Sequence, residues 1–181
     1  MNTPHSVNEL EKTAFEKMKG DFSYKNALQT PRLVKATISI GVGKVKDKKK
    51  LEVIEDRLAR ITGQKAAPRG AKKSVASFKV RKGDVVGYQV TLRGARMYDF
   101  LNKLVHIALP RTRDFRGLSP KSIDTLGNIT LGIKENTIFP ESQDEDLKDV
   151  FGFAVTIGTT AKNKKEAEAF LRHIGLPLQE A

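Results

Sequence analysis

The chain has no cysteine, which excludes disulfides and thiolate metal sites and removes Cys as a nucleophile. Only three histidines are present, His5, His106 and His173. They lie far apart, and the two within helical segments lack metal-ligand spacing, so scattered packing or surface histidines are expected rather than a catalytic or metal centre. Long apolar runs are also missing: nothing approaches the roughly 20 residues needed to span a bilayer. Residues 1–20 carry Asn8, Glu9, Glu11 and Glu16 and no apolar stretch, which does not fit a signal peptide. A cytoplasmic protein without disulfides, cofactor or metal is the expectation.

What is abundant is positive charge. Of 181 residues, 33 are Lys or Arg and 21 Asp or Glu, a net charge of +12 with a pI near 9.9. Such an excess favours a polyanionic partner, nucleic acid first. With 39% hydrophobic and 30% charged residues, the composition is that of a globular protein with a charge-rich surface. The length suits one domain over 1–181. Neither a membrane partner nor a homo-oligomer is expected.

Hydrophobic periodicity orders the chain. Ser6 and Glu9 have the spacing of a capping box, and Val7, Leu10, Ala14 and Met18 recur at helical intervals, predicting a helix that ends near Gly20. Val34, Ala36, Ile38, Ile40 and Val42 alternate with Lys35, Thr37, Ser39 and Gly41 as in a half-buried strand. Asp47 caps a second helix through Leu51, Ile54, Leu58 and Ile61, and Gly63 stops it. Tyr88, Val90 and Leu92 alternate with Gln89, Thr91 and Arg93 in a second strand. Met97, Leu101, Leu104, Val105 and Ala108 mark a third helix that must end before Pro110. Ile129, Leu131 and Ile133, then Phe151, Phe153, Val155 and Ile157, predict two further strands around the acidic segment 141–149. Asn163 and Glu166 repeat the capping-box spacing ahead of Ala167, Phe170, Leu171 and Ile174, with Gly175 and Pro177 closing the last helix.

Two stretches lack a period. Residues 65–82 hold Lys65, Arg69, Lys72, Lys73, Lys79, Arg81 and Lys82 and no acid, an exposed basic loop that repels itself unless an anion is near. Its small residues Gly70, Ala71, Ser74, Ala76 and Ser77 admit close approach of backbone to phosphate, and Phe78 either stacks on a base or tucks into the core. Residues 111–126 mix Arg, Gly, Pro and Ser as a long loop, a common carrier of function.

Each strand has one apolar face, so one layer of helices is enough to cover it. The expected fold is α+β: a two-layer sandwich with a mainly antiparallel sheet, helices on one face and an open polar face. That open face would carry Lys35, Thr37, Ser39, Gln89, Thr91 and Arg93, hydrogen-bonding groups and cations rather than stacking aromatics. No helix has the features of a major-groove reader, and such a face with a basic loop suits folded RNA better than duplex DNA. The adjacent Asp144, Glu145 and Asp146 are read as a solvated acidic patch, because the calcium-loop pattern is missing. Gly41-Val42-Gly43-Lys44 lacks the third glycine of a dinucleotide motif and the Ser or Thr that follows a Walker lysine. Its glycines are read as letting the strand turn tightly into the next helix, with approach to an RNA phosphate as the alternative.

Several words of the sequence resemble the bacterial large-subunit ribosomal protein five family: Gln29-Thr-Pro-Arg32, Ile40-Gly-Val-Gly43, Thr62-Gly-Gln-Lys65, Ala71-Lys-Lys-Ser-Val75, Val90-Thr-Leu-Arg-Gly94, Pro110-Arg-Thr-Arg-Asp-Phe-Arg-Gly117, Ile138-Phe-Pro-Glu141 and Thr159-Thr-Ala-Lys162. They run in order over nearly the whole chain. The resemblance implies a non-enzymatic, ribosome-bound protein of the central protuberance that holds 5S rRNA beside the large-subunit rRNA. It also implies contact with peptidyl-site tRNA and a bridge to a small-subunit head protein. The family's usual Asn, Gln and Thr at its 5S-contacting positions fall on Ser39, Gln64 and Thr91. Ser39 departs from Asn, offering one donor in place of two and room for a bridging water. The implied 5S site spans Gln29, Arg32, Lys35, Thr37, Ser39, Gln64, Gln89, Thr91 and Arg93. Lys72, Lys73, Ser74, Phe78, Lys79 and Arg81 would approach tRNA, and Arg111, Arg113, Asp114 and Arg116 match the bridge-side loop. The rivals are a free-standing RNA chaperone or regulator with the same surface, and an RNA-modifying enzyme, for which no general base or cofactor pocket is found.

Overall fold

The computed structural model describes residues 6–45, 47–142 and 150–179. Four α-helices, α1 (Val7–Phe22), α2 (Lys48–Thr62), α3 (Gly94–Lys103) and α4 (Lys164–His173), accompany five strands, β1 (Leu33–Gly41), β2 (Ala67–Gly70), β3 (Val85–Leu92), β4 (Ile129–Ile133) and β5 (Phe153–Thr159). The strands form one antiparallel sheet in the order β2-β3-β1-β5-β4, the expected α+β sandwich. The chain divides into two compact units. The first takes residues up to 36, 93–131 and those from 156 on; the second takes 37–92 and 132–155.

In the second unit, α2 begins at Asp47, whose carboxylate accepts from Lys49 N–H (3.0 Å), and ends at Gly63 with φ 68°. There glycine removes the steric cost of a left-handed residue. Its stripe of Ile54, Leu58 and Ile61 is buried, and α2 packs against β3. Along β3, Tyr88, Val90 and Leu92 are buried while Gln89 and Thr91 are half-exposed; along β1, Ile38 and Ile40 are buried while Thr37 and Ser39 are half-exposed. This period of two is what one covered face imposes on a pleated strand. Each fully buried aliphatic contributes about 2 kcal/mol.

The first unit is built on α1, which packs on α3 and α4. Both bonds of the Ser6–Glu9 capping box form: Glu9 N–H donates to Ser6 Oγ (3.3 Å) and Ser6 N–H to Glu9 Oε2 (3.0 Å). The helix runs two residues past Gly20 and stops at Ser23, φ 51°. Helix α3 continues as a π-turn over Leu104–Ala108, with Leu109 N–H bonded to Leu104 O (2.9 Å), and Pro110 prevents further extension. At α4 the Asn163 side chain accepts from Glu166 N–H (2.9 Å) as the spacing predicts. The return bond differs: the buried Glu166 carboxylate accepts from Lys162 N–H (2.6 Å), one residue before the cap, and from the Tyr24 hydroxyl. Burial and this carboxylate push the Tyr24 hydroxyl well above its usual range. His173 Nε2 lies 2.8 Å from Leu10 O and 3.0 Å from Thr13 Oγ1, so it ties α4 to α1.

Several expectations change. Strand β2, inside the expected basic loop, pairs with β3: Ala67 opposite Gln89, Pro68 opposite Tyr88 and Arg69 opposite Gly87. It sits at the sheet edge, where a proline without an N–H is tolerated, and all four residues are exposed, so no alternation marks it in the sequence. Val34, expected on the apolar face, is 40% exposed, and Leu33 is buried in its place. Phe151 precedes the strand and is half-buried. His5 and the acidic triplet Asp144–Asp146 lie outside the described residues.

Candidate nucleic-acid interface

The open face is best defined in the second unit, where three strands present it. Val42 N–H donates to Val86 O (2.8 Å). Counting along antiparallel strands from that bond sets Gly41 opposite Gly87, Ser39 opposite Gln89 and Thr37 opposite Thr91. With the β2 pairing, Ala67, Gln89 and Ser39 make one row across the face, and Arg69, Gly87 and Gly41 the next. In the second row Gly41 is exposed as bare backbone, whereas Gly87, between it and Arg69, is buried. Gly41 has nothing within 4 Å of where a Cβ would stand, whereas at Gly87 a Cβ would meet Ile40 O at 2.7 Å. Arg69 Nε donates to Gln89 Oε1 (2.8 Å), leaving its other donors outward. Thr37, Ser39 and Thr91 side chains have no hydrogen-bond partner among the described residues and are reachable by solvent. Such groups on a rigid sheet are ready for an external ligand.

Sequence reasoning placed Arg69 in a loop and missed it as a face residue. No local signal marks it, because the strand is exposed on both faces and holds a proline; only the pairing with β3 reveals it. Gln64 follows the C-cap of α2, where Thr62 Oγ1 donates to Gln64 O (3.0 Å) and accepts from Gln64 N–H (3.4 Å), and its side chain is half-exposed.

The basic segment between β2 and β3 is an ordered hairpin rather than a structureless loop. Ala71 and Asp84 pair through Ala71 N–H to Asp84 O (2.9 Å), Val75 and Val80 exchange backbone bonds (2.9 and 3.3 Å), and Lys82 N–H donates to Ser74 Oγ (2.9 Å). Asp84 Oδ2 accepts from Arg81 N–H (2.7 Å), so the nearest acid serves the turn. At the tip, Ala76–Phe78 form a 3-10 turn closed by Lys79 in a left-handed conformation (φ 52°). Phe78 is 75% exposed, which removes the core alternative left open by the sequence. Lys72, Lys73, Ser74, Lys79 and Arg81 lie on the same hairpin, all exposed.

The first unit contributes the remaining expected residues. Arg32 and Lys35 are exposed, and the Lys35 stem lies over Gly158, where a Cβ would stand 3.2 Å from Lys35 Cγ. The Gln29 side-chain oxygen is used locally, accepting from Lys25 N–H (2.9 Å). Arg93 is the exposed residue that precedes α3. Arg111, Arg113, Asp114 and Arg116 lie on the long loop, which the C-terminal segment fastens through Leu118 N–H to Pro177 O (2.7 Å) and Gln179 N–H to Leu118 O (2.9 Å). Arg111, Arg113 and Asp114 are exposed or half-exposed there, as is Arg116. Asp114 itself is left-handed, φ 52°. Further on, hydrogen bonds led by that from the Asn128 side chain hold the Asp124 carboxyl below the usual carboxylate range. Among the described residues no three His, Asp or Glu side chains cluster as a metal site, and no helix is long and apolar enough to cross a membrane.

Residues 85–178 match the family model for the C-terminal part of ribosomal protein L5, and residues 26–81 match the model described as ribosomal protein L5. The chain belongs to the ribosomal protein L5 family. Similar L5 relatives, each called large ribosomal subunit protein uL5, span almost their full length. The one from Heliobacterium modesticaldum is 50% identical over 87% of this chain and 88% of its own. That of Trichlorobacter lovleyi is 47% identical over 91% and 92%, and that of Natranaerobius thermophilus 46% over 89% and 90%. The L5 family is structural and non-enzymatic.

Proposed function

We propose that this L5-family chain, a structural constituent of the large ribosomal subunit, binds 5S rRNA on the open sheet face, contacts peptidyl-site tRNA through the 71–84 hairpin and bridges to the small-subunit head through the 111–117 loop. The observation that carries the reading is the set of unspent hydroxyls at Thr37, Ser39 and Thr91 beside Arg69 and Gln89. A sheet whose covered face holds the core leaves these groups aligned and desolvated only in part, so an RNA segment that fills their hydrogen-bonding capacity recovers the cost of displacing water. Cations around them attract phosphate without reading sequence. The exposed phenyl ring of Phe78, on a hairpin that also carries Lys72, Lys73, Lys79 and Arg81, brings together the two elements of an RNA contact, a stacking surface and positive charge. The bridge assignment for Arg111, Arg113, Asp114 and Arg116 draws on their solvent access and on family resemblance.

The test is a gel-shift comparison of 5S rRNA with an unrelated folded RNA while salt is raised. A ribosomal protein of this kind keeps its preference for 5S rRNA as nonspecific phosphate binding fades. Equal loss of both RNAs would favour a free-standing RNA chaperone instead.

A further inference from the structure

We infer that the corner between β1 and α2 is a second RNA-backbone contact, in which Lys44, Lys48, Lys49 and Lys50 grip phosphates of the RNA held by the sheet face; the inference rests on the RNA-binding reading above. All four lysines are exposed, and none makes an ion pair among the described residues. Lys48, Lys49 and Lys50 occupy the first turn of α2, where no acidic residue is present. That is the positive end of the helix dipole, so three cations there work against the helix rather than for it. Asp47 does not neutralise them by pairing with an ammonium, because its Oδ1 is directed to Lys49 N–H to cap the helix. Glu52, one turn on, is exposed as well, but a lysine four residues before a glutamate is the weaker orientation for a helical pair. Neither local stability nor internal pairing accounts for this charge.

The ground in front of the lysines is bare. Gly41 ends β1 on the open face with empty space above it, and Gly43 is exposed with only Val86 near, at 3.9 Å. Val45 N–H bonded to Val42 O (2.8 Å) folds the chain tightly between them. Gly41 and Gly43, both exposed and without side chains, therefore lead from the open face to the lysine corner and give a phosphodiester backbone close access to exposed ammonium groups.

The experiment uses the full chain with 5S rRNA, measuring affinity across a salt series for the wild type and for a K44Q/K48Q/K49Q/K50Q variant. Each phosphate contact contributes about 0.7–0.9 to the slope of log affinity against log salt. The variant is expected to lose roughly two or more in slope and at least about ten-fold in affinity near 0.15 M salt, with a melting temperature equal to or above wild type. A control removing four cations from α1 and its exit (K12Q/K17Q/K19Q/K25Q) should keep the slope. An unchanged slope in the corner variant, or the same loss in both, would overturn the inference. If the wild type shows no preference for 5S rRNA over an unrelated folded RNA, the 5S reading falls; the slope difference between the variants, read on either RNA, still decides the corner.

Discussion

Replacing Thr91 by Val separates recognition from folding at one atom. The two side chains share shape and strand preference, so β3 keeps its packing. The Thr91 side chain is half-exposed and its hydroxyl has no partner among the described residues, so the free protein loses no internal hydrogen bond. In the RNA complex the same change leaves a buried RNA group unpaired, at a cost of about 1–3 kcal/mol. That corresponds to a roughly five- to 150-fold weaker Kd. Filter binding to 5S rRNA at fixed salt, with a thermal melt of both proteins, is the assay. No charge is removed, so the salt dependence should stay as in the wild type. A melting temperature within a degree or two and an unchanged affinity would remove Thr91 from the interface. An altered salt slope would show that the substitution acts through the cations instead.

Phe78→Ala should leave stability unaltered, because the ring buries little, and should weaken binding of a tRNA elbow fragment by about 1–3 kcal/mol if it stacks on a base; a melting temperature several degrees lower would refute the exposed tip. Gly87→Ala places a methyl 2.7 Å from Ile40 O and should destabilise by about 1–3 kcal/mol, read from the urea midpoint; no change would mean that β1 and β3 separate at little cost. Tyr24 is raised above its usual 10 by burial and by the Glu166 carboxylate, and Tyr98 to about 12 by burial and its bond to Glu11. The neutral phenols are the forms the fold favours, so their stabilisation is complete below pH 10 and is lost as pH rises through the higher folded values. Denaturation midpoints should decline above pH 10 in the wild type and less steeply in Tyr24→Phe; parallel curves would contradict the pairing.

The fold was legible where burial imposes a period. Ile38 and Ile40, Val90 and Leu92, and the stripe of α2 all declare one covered face, and the caps at Ser6, Asp47 and Gly63 act through local chemistry that the sequence displays. What escaped had no such imprint. β2 is an edge strand with both faces exposed and a proline inside it, so its only evidence is its pairing with β3. The 71–84 hairpin is held by backbone bonds and by Ser74 and Asp84, which composition alone presents as a charged loop. Glu166 has capping-box spacing, yet a distant partner, Tyr24, shares its carboxylate, and tertiary contacts leave no trace in local spacing. The open-face residues Thr37, Ser39, Gln89 and Thr91 followed directly from alternation, whereas Arg69 joined them only once β2 was known. The roles of the 111–117 residues came from family resemblance, since an exposed cationic loop carries no mark of its partner.

Ultraviolet crosslinking of the protein to 5S rRNA, with the attached peptides identified by mass spectrometry, tests the central claim most directly. RNA held on the open face should leave its nucleotides on the β1 and β3 peptides, at residues 35–41 and 87–93. Crosslinks confined to the 71–84 hairpin or the helices, with none on those strands, would contradict it.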